Sequence, residues 1–218
     1  MTVPPSGDDS PATVRRMARQ ERAELAAFLA TLSPEDWRAP SLCQGWRVHD
    51  VVAHLVSYDE LDGRGLLARL AKARLRLGRA NALGVTDYAD RSPRDLLALL
   101  TAHLEPRGLP AAFGGMVALV DGMIHHQDIR RPLGRPRDIP PDRLRRALGL
   151  ALLAPPIGAF RRARGLRLVA PDLDWSTGSG PEVRGPGEAL LLGLAGRRVA
   201  LADLSGPGQP KLAARLGD

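Results

Sequence analysis

Apolar side chains near the start of the chain recur every three to four positions, the spacing of one buried helix face. Ser10 followed by Pro11 is a helix start signal, because serine caps free backbone N–H groups and proline fits the first turn. The pattern stops before Ser33, so we predict that a first helix ends there. Its buried face would consist of Val14, Ala18, Leu25, Phe28, Leu29 and Leu32.

A second apolar stripe predicts a helix that starts near Val48. This helix places Val51, Leu55 and Tyr58 on its buried face, and His54 lies between them at helical spacing. His54 is therefore expected to face inward.

The basic, leucine-containing segment 60–80 is predicted to continue the second helix. A loop through Asn81, Gly84 and Pro93 should follow it, because glycine and proline interrupt regular structure.

Two similar four-residue signals mark joints between helices. Residues 33–36 and 92–95 each begin with Ser-Pro and carry an acidic residue at the third helical position. The helix that follows the second signal has Leu96 and Leu100 on its buried face, together with His103.

A fourth helix is predicted to end at Pro132 and Gly134. The small residues in the segment 110–115 that leads into it would let helices approach closely or let the chain bend. The pattern thus predicts a four-helix bundle over residues 10–134, with a further helix over residues 141–153.

The pattern changes after Pro156. Residues 166–170 are predicted to form a strand, with 172–177 and 182–184 as its partners and 178–181 as the turn. An apolar helix over 187–194 should follow. The predicted fold class is therefore α+β, with a helical domain over residues 10–154 and a small α/β domain over residues 157–218.

The formal charge of +7 and a pI near 10.8 raise nucleic-acid binding as a function class. Only Lys72 and Lys211 of the 31 basic residues are lysines, and the arginines are scattered with few aromatic residues that would stack on bases. We therefore expect the arginines to form a solvated surface and not a nucleic-acid interface. The same positive field favours anionic small substrates.

Membrane insertion is not expected, because the longest apolar runs, 109–120 and 147–160, are too short to span a bilayer. The polar residues 1–9 show no targeting signal. The single cysteine, Cys43, excludes an internal disulfide and fits a cytoplasmic location.

Candidate metal ligands are concentrated between Val120 and Gly134. On a helix, Asp121 and His125 lie about 40° apart around the axis and one turn apart along it, as two ligands of one ion must. The inward-facing His54 supplies a third donor. Two imidazoles and one carboxylate suit a divalent metal that keeps positions open for water or substrate.

Each of these residues also has a purely structural interpretation. Taken alone, His54 is better explained as a core histidine bonded to a backbone carbonyl, and only the two further candidates on another helix favour a ligand role. His103 competes as a ligand but lacks an acidic neighbour at ligand spacing. Asp128 either accepts the second ring N–H of His125 or pairs with Arg131. His126 lies about 100° from His125 around the helix and is expected to point elsewhere.

The stretches SPEDWRAPSLCQGWRVHDVVAHL and DGMIHHQDIRRPLG together resemble the mycothiol-dependent maleylpyruvate isomerase family of actinobacteria, within the DinB/YfiT-like superfamily. The resemblance implies a DinB-like four-helix bundle that binds a divalent metal, usually zinc, through the positions of His54, Asp121 and His125. Asp121 stands where the family is expected to carry Glu. The C-terminal stretch DLDWSTGSGPEVRGPGEALLLGLAGRR resembles the family's second domain. The residues of the first stretch that carry the resemblance are Trp37, Pro40, Cys43, Gly45, Trp46, Asp50 and His54.

An external thiol fits this site better than an internal nucleophile, because Cys43 lies in a joint close to Gly45. The resemblance implies mycothiol as a cosubstrate that adds to a conjugated cis-alkene and leaves again after rotation. Arg197 or Arg198 would hold a substrate carboxylate, an assignment that rests on arginine chemistry alone. The alternatives are S-transfer to an electrophile and a non-catalytic metal-binding or partner-binding protein.

Overall fold

The computed structural model describes residues 10–216 of the 218-residue chain. Contacts divide the chain into two compact units, one up to Pro136 and one from Arg137 onward. The expectation about a targeting signal concerns residues 1–9, which lie outside the described residues, as do the last two residues of the predicted second domain.

The first unit is a helical bundle, as the apolar spacing predicts. Helices α1 and α3 each pack against both α6 and α7, so that these four surround a common core. The core is made of fully buried aliphatic side chains such as Leu25, Val52, Leu96 and Ile129. The helices of this unit are α1 (Pro11–Leu29), α2 (Pro34–Arg38), α3 (Val48–Ser57), α4 (Gly63–Lys72), α5 (Leu77–Asp87), α6 (Pro93–Ala102) and α7 (Ala112–Arg130).

Serine residues cap three of these helices at the predicted positions. The Ser10 hydroxyl accepts a hydrogen bond from the Thr13 backbone N–H at 3.3 Å. Ser33 and Ser92 form reciprocal capping boxes with the aspartates three residues later. These local interactions explain why the starts of α1, α2 and α6 are predictable from the sequence alone.

The segment between α3 and α6 differs from its prediction. The second helix does not continue through residues 60–80, because Asp62 caps a new helix by accepting the Gly65 N–H at 2.7 Å. The expected loop through Asn81 and Gly84 is helical and belongs to α5. Gly84 packs beside Ser57 and Arg69, where a side chain would clash, so this glycine serves close packing and does not end a helix.

The loop between α2 and α3 is fixed to α7. Gly45 adopts a left-handed conformation (φ +77°) that favours glycine, and the Ser41 hydroxyl donates to the Trp46 carbonyl at 2.8 Å. The Leu42 backbone N–H donates to the Asp128 carbonyl at 3.0 Å. This loop therefore carries Cys43 to the helix that holds the candidate ligands.

Helix α7 begins with a break. Phe113, Gly114 and Gly115 all have left-handed backbone angles, and regular helix geometry starts only after them. A Cβ on Gly114 would lie 2.9 Å from Pro11 Cβ, and one on Gly115 would lie 3.2 Å from Arg15 Cα. The small residues thus both bend the chain and let α7 approach α1.

The second unit combines short helices with a three-stranded sheet in the order β2-β1-β3. β1 pairs antiparallel with β2, with Arg167 opposite Gly178, and parallel with β3, with Arg167 opposite Glu182. α10 packs against α8 and β1. The elements are α8 (Pro141–Leu153), α9 (Ala159–Ala163), β1 (Arg167–Ala170), β2 (Trp175–Gly178), β3 (Glu182–Arg184), α10 (Gly187–Leu194) and α11 (Gln209–Ala213).

The contacts place α8 in the second unit, because the division falls after Pro136. The domain boundary between residues 154 and 157 stays a prediction. Within residues 10–216, no helix combines the length and the apolar character needed to cross a bilayer.

Candidate metal centre

The first turn of α3 determines where His54 lies in the bundle. Asp50 accepts the Arg47 backbone N–H at 2.9 Å and also binds the Arg47 side chain, so the first turn of α3 is held at its N-terminus. One turn later, the buried His54 side chain lies among Val51, Leu55 and the other apolar residues of this helix.

His54, Asp121 and His125 come together between α3 and α7. The ligand atoms of the three side chains lie within 4.8 Å of one another. His54 Nε2 is 3.6 Å from Asp121 Oδ2, and His125 Nε2 is 3.4 Å from Asp121 Oδ1. Both histidines are buried, whereas the Asp121 side chain is 42% exposed, so the cluster is open on its carboxylate side.

The spacing of these atoms suits ligands of a common ion. Two atoms that each lie about 2.0–2.1 Å from a tetrahedral zinc ion are about 3.3 Å apart. The distances of 3.4 and 3.6 Å are close to this value and longer than a normal N–H···O hydrogen bond. His54 Nδ1 is buried and has no hydrogen-bond partner among the described residues. The three residues therefore fit a divalent metal better than a direct hydrogen-bond network.

Asp128 fixes the orientation of His125. Its Oδ2 lies 2.9 Å from His125 Nδ1, and the Asp128 side chain is fully buried. With a proton on Nδ1, His125 would donate to this carboxylate and offer Nε2 to a bound ion. Of the two roles considered for Asp128, the structure thus shows the contact with His125.

His126 points away from this cluster and toward α1. Its Nδ1 lies 2.8 Å from Glu21 Oε1, and both side chains are fully buried. Arg130 Nε donates to His126 Nε2 at 2.8 Å, and the Arg130 guanidinium stacks on Phe28 with its Cζ 3.7 Å from the ring centroid. Both ring nitrogens of His126 are therefore occupied by other contacts.

Two effects determine the pKa values in the cluster: the loss of contact with water and the attraction between carboxylates and imidazoles. Burial lowers the pKa of His54. Partial desolvation opposes ionisation of Asp121, but attraction to His125 and His54 outweighs it and holds the pKa of that carboxyl well below its usual range. Burial also opposes protonation of His125, but Asp121 and Asp128 raise its pKa well above the ordinary value. The site is thus built to hold positive charge next to Asp121.

Two aromatic residues cover His54. The ring centroids of Trp46 and Tyr58 lie 5.3 and 5.6 Å from the His54 ring. The Tyr58 hydroxyl donates to Asn81 Oδ1 at 2.7 Å, which ties this ring to α5. Trp46 was predicted only as a motif residue and Tyr58 only as a core residue. Trp46 and His54 lie close together in the sequence motif, and this was the signal that could have predicted their contact.

Cys43 and His103 do not join the three ligands. The Cys43 thiol donates to Asp128 Oδ2 at 3.1 Å and lies 3.5 Å from His125 Nδ1, the nitrogen that faces Asp128. These three side chains form a second close group, on the opposite edge of the His125 ring from Asp121. His103 caps the end of α6 and is half-buried.

Arg197 and Arg198 lie in the second unit, next to the end of α10. Arg197 Nη1 donates to the Ala195 carbonyl at 3.2 Å, and Arg198 Nη1 donates to the Leu216 carbonyl at 3.0 Å. Their predicted role in binding a substrate carboxylate stays a prediction.

Two comparisons with known proteins match the chain. Residues 18–107 match the family model of the mycothiol maleylpyruvate isomerase N-terminal domain, a range that includes His54 but ends before Asp121. Crystal structures of the mycothiol-dependent maleylpyruvate isomerase, and of a point mutant of it, are similar over 92% of this chain and 94% of theirs. Their TM-score is 0.62 at 16% identity, a likeness that confirms the predicted fold class of a helical bundle followed by a small α/β domain. No curated protein sequence matches.

The residues matched by the family model include α3 and the loop before it, the stretch whose sequence resembles the family. The bundle in which that segment lies has the fold of the similar crystal structures. Residues 18–107 are therefore similar to the mycothiol maleylpyruvate isomerase N-terminal domain, and the likeness to the crystal structures extends over the fold of the chain.

Proposed function

We propose that the protein is a metal-dependent enzyme that uses mycothiol, or a similar low-molecular-weight thiol, to isomerise a small electrophilic and anionic substrate. The observation that carries this proposal is the convergence of His54, Asp121 and His125 at ligand spacing, with a buried carboxylate behind one imidazole. The family match and the names of the similar crystal structures support the thiol and the reaction type.

The three residues would hold one divalent ion, with zinc as the best fit to two imidazoles and a carboxylate. When bound, such an ion supplies positive charge that lowers the pKa of a nearby thiol and so generates thiolate at neutral pH.

The protein's own residues would prepare the site for this chemistry. Asp128 holds the Nδ1 proton of His125 and thereby directs Nε2 to the ion. Trp46 and Tyr58 pack against the His54 ring and shield it from water. Asp121 leaves the solvent side open, which is where thiol and substrate would enter.

The isomerisation itself requires no external oxidant or reductant. A thiolate sulfur forms a bond to one carbon of a conjugated cis-alkene, and the electron pair of the double bond moves into the adjacent carbonyl. Rotation about the resulting single bond follows. Expulsion of the thiolate then restores the double bond in the trans form. Arg197 and Arg198 are proposed to bind the substrate carboxylate because guanidinium groups pair with carboxylates in two parallel hydrogen bonds.

The proposal is tested first by elemental analysis of protein purified without a metal-affinity tag. We expect about one divalent ion per chain. Metal-loaded protein should then accelerate cis–trans isomerisation of a conjugated dicarboxylate in the presence of mycothiol. A panel of alkylating electrophiles separates isomerisation from S-transfer. A metal content far below one ion per chain after reconstitution would instead favour a non-catalytic bundle.

A further inference from the structure

The helical pair α4 and α5, together with the turn between them, forms a strongly basic surface element that the proposed function does not use. We call residues 63–86 the basic hairpin. The segment contains six cationic side chains and no acidic one, and the acidic residues Asp62 and Asp87, the last residue of α5, lie just outside it. One of them, Arg69, is buried and bonded to Ser57. The other five are exposed and form no ion pair within the described residues: Arg64, Lys72, Arg74, Arg76 and Arg79.

Large apolar side chains project from the same element into solvent. Leu67 is 70% exposed, Leu75 is 78% exposed and Leu77 is 46% exposed. Single exposed leucines are common on protein surfaces, but three within eleven positions, among five free cations, form a mixed apolar and cationic patch.

The turn of the basic hairpin holds one of these leucines outward at an energetic cost. Arg74 and Leu75 both have left-handed backbone angles, with φ of 52° and 57°. A bulky side chain in this conformation is strained, and glycine would adopt it without penalty. The turn nevertheless places an arginine and a leucine side by side at its tip. Such retained strain is typical of positions where the side chain serves a function.

A shallow cavity lies beside the tip, between α4 and α5. Its volume is about 270 Å³, and its rim carries Lys72 and Arg79, with Ala73, Ala82, Leu83 and Thr86 completing the wall. The two cations would neutralise the charge of an anionic headgroup, and the cavity between them would provide space for it.

We propose that the basic hairpin is a docking surface for an anionic lipid bilayer. Lysine and arginine are attracted to the negative surface potential of such a membrane, and leucines at the tip insert into the boundary between headgroups and acyl chains. The hairpin has no aromatic residue on which bases would stack, which argues against a nucleic-acid partner. Its uniform positive charge disfavours association with a second copy through the same face.

The test is flotation of the full-length protein with vesicles. We expect it to bind vesicles that contain about 30% phosphatidylglycerol, to bind pure phosphatidylcholine vesicles at least about tenfold more weakly, and to dissociate at about 0.5 M salt. The charge variant Lys72→Glu/Arg79→Glu should reduce binding at least about tenfold. Leu75→Gly should reduce binding while keeping or raising the thermal midpoint, since glycine relieves the strained backbone.

Matched controls are available elsewhere on the molecule. Leu153 is 73% exposed and Arg94 is also exposed, and both lie outside the basic hairpin. Leu153→Ser and Arg94→Glu should bind vesicles like the unaltered protein. Equal binding to neutral and anionic vesicles, or unaltered binding by both hairpin variants, would overturn the proposal. So would a dimer that the Leu75→Gly change dissociates, or tight binding to a nucleic-acid duplex without any binding to vesicles.

Discussion

Asp128 is the fully buried partner of His125, with its Oδ2 2.9 Å from the ring Nδ1. The same aspartate is also held by the loop before α3, because the Cys43 thiol donates to its carboxylate and the Leu42 N–H donates to its backbone carbonyl. The loop before α3 and the helix α7 therefore meet at one carboxylate, and this carboxylate sets the direction of a candidate metal ligand.

Replacing this carboxylate should weaken the site without removing it. Asp128→Asn keeps the shape but loses the charge that fixes the His125 tautomer, so zinc affinity should fall about 10- to 100-fold. Calorimetric titration of the metal-free proteins measures the change. Asp138→Asn, at an exposed position, is the matched control and should bind zinc normally. Equal affinities for both variants would contradict a positioning role for Asp128.

The two adjacent histidines should behave oppositely. His125→Ala should abolish metal binding, because His125 Nε2 lies 3.4 Å from Asp121 Oδ1 in the cluster. His126→Ala should bind metal nearly normally but lose about 2 kcal/mol of stability, since it leaves the buried Glu21 carboxylate without this hydrogen bond. Zinc titration and urea denaturation of each variant separate the two effects.

Asp121→Ala is the positive control for loss of the site, because it removes the carboxylate between the two imidazoles. His126→Gln retains a side chain that hydrogen-bonds, and it covers the case in which His126→Ala does not fold. Loss of zinc binding in both His126 variants, with binding retained in His125→Ala, would show that the assigned ligand is the wrong one.

The aspartate that caps α3 should contribute stability that depends on pH. Burial opposes its ionisation, but the side chain and backbone N–H of Arg47 outweigh this effect and lower the pKa of Asp50. A lowered pKa means that the folded state favours the ionised form. The contribution is therefore fully present above the ordinary aspartate pKa of about 3.9 and is lost as pH falls through the lowered value.

Asp50→Asn should cost about 1 kcal/mol at neutral pH, a typical value for a helix cap. The difference from the unaltered protein should shrink in urea denaturation at about pH 3, where the ordinary carboxyl is protonated. The exposed Asp90, substituted by Asn, should change stability little at either pH. A constant difference for Asp50→Asn across this range would rule out a contribution from its ionisation.

Two glycines of α5 should respond in opposite ways to alanine. A Cβ on Gly84 would lie 2.5 Å from Ser57 Oγ and 2.9 Å from Arg69 Nη1, so Gly84→Ala should destabilise the protein by about 1 to 3 kcal/mol. A Cβ on Gly78 would meet no atom within 4 Å, so Gly78→Ala should be neutral or stabilising by up to about 1 kcal/mol. The thermal midpoints of both variants show whether α5 packs tightly against α3 at Gly84.

Much of the bundle was predictable because its signals are local. The serine caps of α1, α2 and α6 act within one turn, and the apolar spacing of α3 and α6 repeats over short distances. The breaks before α4 and before α5 were missed, and the part of α5 from Asn81 onward was mispredicted as a loop. Gly84 has the composition of a loop, and only its contact with Ser57 and Arg69 shows why a helix needs a glycine there.

The same limit applies to the candidate site. Asp121 and His125 were predictable as one face of a helix, because their separation of four residues determines their geometry. The contact between His126 and Glu21 joins residues 105 positions apart, and the contact between Cys43 and Asp128 joins residues 85 apart. No local pattern encodes such pairs, so the tertiary fold was needed to assign His126 and Cys43.

The left-handed break at residues 113–115 has a consequence for changes in chain length. Gly114 and Gly115 are seated against Pro11 and Arg15, so the first regular turn of α7 starts from a fixed point on α1. Asp121 follows that point by less than two turns. One residue inserted or deleted between them would swing Asp121 and His125 by about 100° away from His54. Relatives that keep this site are therefore expected to vary in length before Gly114 or after α7, and to keep the spacing from Gly115 to His125 constant.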